Sequence, residues 1–88
     1  MNLYSLDLKK SMVAVAEKIY YGISVKGYEL RKVSNDQLGA WINEKINCDD
    51  NEEKDLARWY VTMKEMGANL YTLFFNGKPL GEIGFLEN

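Results

Sequence analysis

Histidine is absent from the 88 residues, and cysteine and proline occur once each. Without imidazole, Ser-His and Cys-His nucleophile arrangements and His-containing zinc sites are all excluded. The lone Cys48 rules out an internal disulfide or a thiolate cage, so nothing suggests a fold built for an oxidising compartment. No Gly-x-Gly-x-x-Gly or Gly-x-x-x-x-Gly-Lys-Ser/Thr run offers a phosphate cradle. The longest apolar run, around Met12 to Ala16, falls far short of the roughly 18 residues needed to span a bilayer. Met1 to Asp7 lacks the basic-then-apolar pattern of a signal peptide. Together these absences lead to the expectation of a cytoplasmic protein without a membrane partner.

What is present is globular in character. Hydrophobic residues make up 47% and charged residues 27%, a balance that can bury a core and does not favour disorder. The length suits one domain over residues 1–88, able to bury roughly 60–65% of its unfolded surface. The net charge of −2 conceals an asymmetry: residues 1–34 sum to +3 and residues 35–88 to −5. Such polarity suits oriented electrostatic encounters.

Apolar periodicity organises the chain. Leu8, Met12, Val15, Ala16, Ile19 and Tyr20 form one stripe, predicting a helix over 6–21 with Ser5 as N-cap and Gly22 as stop. Ile23 to Val33 reads as a strand bent at Lys26-Gly27. Ser34-Asn35-Asp36-Gln37 has the form of a capping box before a stripe of Leu38, Trp41, Ile42 and Ile46. Asp50 then caps a helix with Glu52 and Glu53 in its first turn, an apolar stripe of Leu56, Trp59, Tyr60 and Met63, and Gly67 at its end. Residues 69–86 form a hairpin around Asn76-Gly77, and Pro79 places the return strand at a sheet edge. The expected class is α+β, helices on a short antiparallel sheet, in the order α-β-α-α-β-β.

Two features draw attention as binding groups. One is the acidic run Asp49, Asp50, Glu52, Glu53 and Asp55. It fails as a calcium loop, because Lys54 stands where glycine is needed and Tyr60 where a carboxylate is needed. Helix capping and the helix dipole alone would also favour several of these acids. The other is the second face of the hairpin, carrying Tyr71, Leu73 and Phe75. That face needs a cover: the first helix, exposure at the hairpin end, or another chain.

Residues 34–66 form a helix–turn–helix in the loose sense. The second helix opens with Glu52, Glu53 and Asp55, which repel phosphate, so direct nucleic-acid contact through it is not expected. No catalytic residue, metal ligand or cofactor is expected either. The profile is shared by small accessory and inhibitor proteins of mobile elements, anti-restriction and anti-CRISPR proteins among them, through composition and not through a motif. The leading expectation is a non-enzymatic inhibitor or accessory factor that occupies a larger protein, with a nucleic-acid-processing enzyme considered first. Alternatives are a nucleic-acid-binding regulator using Lys9, Lys10, Lys18, Arg31 and Lys32, or a homodimer or self-assembling subunit joined through hairpin edges.

Overall fold

A computed structural model describes residues 1–87. The order is β1 (Asn2–Tyr4), α1 (Lys10–Tyr20), β2 (Tyr28–Lys32), α2 (Asn35–Lys45), α3 (Asn51–Met66), β3 (Asn69–Phe75) and β4 (Lys78–Leu86). The strands form one antiparallel sheet in the order β1-β4-β3-β2, giving an α+β fold. Alternation along β3 and β4 sends side chains to two faces. Leu73, Ile83 and Phe85 pack with Ala16 of α1 on one face. Leu70 packs with Leu38, Ile42, Tyr60 and Met63 of the α2–α3 hairpin on the other.

α3 follows its sequence signals closely. The Asp50 carboxylate accepts from the amides of Glu52 at 2.9 Å and Glu53 at 3.2 Å. At the other end Gly67 takes φ 78°, and the Ala68 amide reaches back to the Met63 carbonyl. The Asn76-Gly77 turn has positive φ at both residues (49° and 81°), matching the twist of the hairpin strands.

Several expectations need correction. A strand, β1, precedes α1, so the order is β-α-β-α-α-β-β. α1 begins at Lys10, not residue 6. The Ser5 hydroxyl donates to the Glu82 carbonyl at 2.9 Å and accepts from the Leu8 amide at 3.1 Å, which holds residues 5–8 against β4 and out of the helix. Ile23 to Val25 is not strand; β2 starts at Tyr28. Ser34 precedes α2 as expected, but its side chain makes no capping bond. β4 is central, yet β1 pairs only with Gly84–Leu86, so Pro79 lies where β4 has a neighbour on one side alone. Leu73 pairs with Gly81 and Phe74 with Pro79, leaving Leu80 as a bulge residue.

Candidate functional site: an acidic groove beside the first strand

The β1–α1 connection is laid along β4 by two side chains. Ser5 binds the Glu82 carbonyl, and an Asp7 carboxylate oxygen accepts from the Glu82 amide at 3.2 Å. Both backbone groups of Glu82 are thus satisfied where β1 no longer reaches. The connection comes close enough that a Cβ added to Gly81 would stand 2.7 Å from Asp7 Oδ1 and 2.9 Å from Leu8 Cδ2.

This placement brings Leu6 and Asp7 against the first turns of α3. Together with Glu52, Glu53, Asp55 and Leu56 they line a groove of about 480 Å³. Leu6 is half exposed, at 50% of its surface. The acids do not all carry free charge. Glu53 pairs with Lys45 of α2 at 3.0 Å, an interaction that holds the Lys45 ammonium above its ordinary pKa, chiefly through that hydrogen bond. Among the described residues, Asp7, Glu52 and Asp55 make no salt bridge.

Beside Asp7 stands a further carboxyl, Glu82. Burial, then the charge of Asp7 and a hydrogen bond with it, push Glu82 up to about 7. Desolvation and the neighbouring negative charge both disfavour the Glu82 carboxylate, so Glu82 is part-protonated near neutral pH. Burial and the same two acids also raise the Tyr60 phenol, keeping it neutral. Among the described residues no three metal-ligating side chains converge on one point.

The residues anticipated from sequence fare differently. Glu52, Glu53 and Asp55 line the groove; Asp50 is committed to the α3 cap; Asp49 is exposed just before it. The hairpin face divides. Leu73, expected among the partner-binding residues, is instead fully buried beneath α1: of the three covers considered for that face, the first helix supplies it. Tyr71 is half-buried there, edge-on to Tyr20 and Phe85 at 5.8 Å. Phe75 stays exposed at the hairpin end, against Tyr28 with ring centres 4.7 Å apart.

Sequence reading missed Leu6, Asp7 and Glu82 because their juxtaposition depends on pairing across 75 residues. It also divided the charges by sequence half, whereas folding mixes them. Asp7 joins the acids of α3, and Lys32 lies with Lys64 in a separate groove of about 360 Å³. Among the described residues no helix is long and apolar enough to cross a membrane. Comparison with protein-family models, curated proteins and solved structures gives no match.

Proposed function

We propose that the protein is a non-enzymatic binding module whose acidic groove takes a basic segment of a larger protein. The observation that carries this reading is the convergence of Asp7 with Glu52 and Asp55 around Leu6 and Leu56. Carboxylates without a salt-bridge partner among the described residues supply orientation and encounter rate, while the apolar Leu6 and Leu56 supply the desolvated contact that turns encounter into residence. A cationic partner side chain with a methylene stem, lysine or arginine, matches both parts. The phosphate-binding surface of a nucleic-acid-processing enzyme is rich in such side chains, and a protein that fills it would act as an inhibitor or accessory factor.

The test is affinity capture from the native host, followed by salt titration with the purified partner. Wild-type protein is expected to hold its partner at low salt and to release it as ionic strength rises. The triple variant Asp7→Asn, Glu52→Gln and Asp55→Asn is expected to lose most of that binding while retaining its circular dichroism. A partner held equally by the variant at every salt concentration would sink the reading.

A further inference from the structure

β2 forms the sheet edge opposite β1, and its outer side has no strand neighbour. The Val33 amide donates to the Leu70 carbonyl at 2.9 Å, and the Asn76 amide to the Gly27 carbonyl at 2.8 Å. In an antiparallel ladder, alternate residues turn their backbone groups toward the same neighbour. Gly27, Glu29, Arg31 and Val33 therefore face β3, while Tyr28, Leu30 and Lys32 face outward. The Tyr28 amide is taken by the Val25 carbonyl at 3.0 Å. Among the described residues, no further backbone bond uses the outward groups of Leu30 or Lys32.

We propose that this edge pairs with the β2 edge of a second copy of the chain, antiparallel and centred on Leu30. Backbone geometry limits the choice of register. An outward residue must meet an outward residue, so the symmetric centre falls on Glu29, Leu30 or Arg31. Centring on Glu29 sets two carboxylates face to face, and centring on Arg31 sets two guanidinium groups face to face, both unfavourable. Centring on Leu30 pairs Leu30 with its own copy through two backbone bonds and sets Glu29 opposite Arg31 twice.

The side chains suit that register. Glu29 and Arg31 already meet within one strand at 2.7 Å, on the face away from α1, with the guanidinium 4.2 Å above the Phe74 ring. A second copy extends this pair into an alternating square of four charges. Charges on an edge strand discourage pairing in general, but in this register those of Glu29 and Arg31 meet opposite signs and so favour one partner, the same edge of a second copy. On the α1 side, Ile23, Val25, Tyr28 and Leu30 line a groove of about 280 Å³ along the same edge, with Ile23 exposed. Pairing would shelter it. Because β1 and β2 are opposite edges, the acidic groove would remain open on each copy.

The experiment measures the oligomeric state of the purified chain by sedimentation from micromolar to millimolar concentration, for wild type and two single reversals. Wild type is expected to pass from monomer to dimer. Glu29→Lys and Arg31→Glu change exposed side chains, and each is expected to weaken its own dimer roughly tenfold or more. Mixed in equal amounts, the two variants are expected to recover dimer, because lysine at 29 then faces glutamate at 31 across the pair. Circular dichroism checks that each variant is folded. A wild type that stays monomeric throughout, as it would if the edge served a strand of another protein, overturns the proposal. So does a pair of reversals that dimerise as well as wild type, or a mixture that fails to recover.

Discussion

The Asp7 carboxylate accepts the Glu82 amide proton at 3.2 Å, and its negative charge adds to burial in raising the Glu82 carboxyl. One aspartate thus holds the β1–α1 connection on the sheet and perturbs the most strongly shifted carboxyl described. Mechanical and electrostatic roles coincide in Asp7.

Stability is expected to depend on pH through this pair. Folding raises Glu82 from 4.5 to about 7, so over that interval the folded protein holds a proton the unfolded chain has released. The unfolding free energy therefore falls as pH rises from about 4.5 to 7 and levels off above. Allowing for partial solvent screening, the loss is about 1–2 kcal/mol. Thermal melts of wild type and Glu82→Gln across this range check it: the variant is expected to show a flatter profile and a higher melting temperature above pH 7.

The two predicted N-caps provide an internal comparison. Asp50→Ala removes both bonds to α3 and is expected to cost about 1 kcal/mol. Ser34→Ala removes no side-chain bond at α2 and is expected to lie within about 0.5 kcal/mol of wild type. Urea unfolding of the two variants gives the contrast directly.

The two fates of the hairpin face lead to a second contrast. Leu73→Ala empties a fully buried site among Ala16, Ile83 and Phe85 and is expected to destabilise by about 2–5 kcal/mol. Phe75→Ala loses a contact at the exposed hairpin end and is expected to cost about 1 kcal/mol. Denaturant midpoints measured side by side distinguish core from rim.

Gly27 has φ +85°, and a Cβ there would stand 2.8 Å from the Phe75 ring. Gly27→Ala combines a left-handed backbone with a clash and is expected to cost about 1–3 kcal/mol. Pairing the substitution with Phe75→Ala should return the part due to the ring while leaving the backbone part and the Asn76 Oδ1 contact at 3.0 Å, which a double-mutant cycle measures.

Local signals were legible in the sequence and long-range ones were not. Asp50, Gly67 and Asn76-Gly77 act on neighbours within a few residues, and each does in the structure what its chemistry implies. Ser34 has equally good local chemistry but forms no side-chain cap, and nothing in the structure explains the difference. β1 is three residues long, too short for any apolar period to register, and its pairing lies beyond residue 83. Ser5 shows both scales at once: its hydroxyl accepts from the Leu8 amide as local rules expect, yet it also donates to Glu82, 77 residues away, and the helix begins only at Lys10. The acids of α3 were visible as a run, but their partners Leu6 and Asp7 become neighbours only once the sheet exists.

β4 has neighbours of very different origin: β3 joins it through a two-residue turn, whereas β1 reaches it from the far end of the sequence. Closing a loop costs more entropy the longer it is, so pairing the short first strand with β4 is the costliest closure in the sheet. Leu6 and Asp7 arrive with it. Completing the groove therefore depends on the docking of this short edge, so that binding there would act as a latch on the folded state.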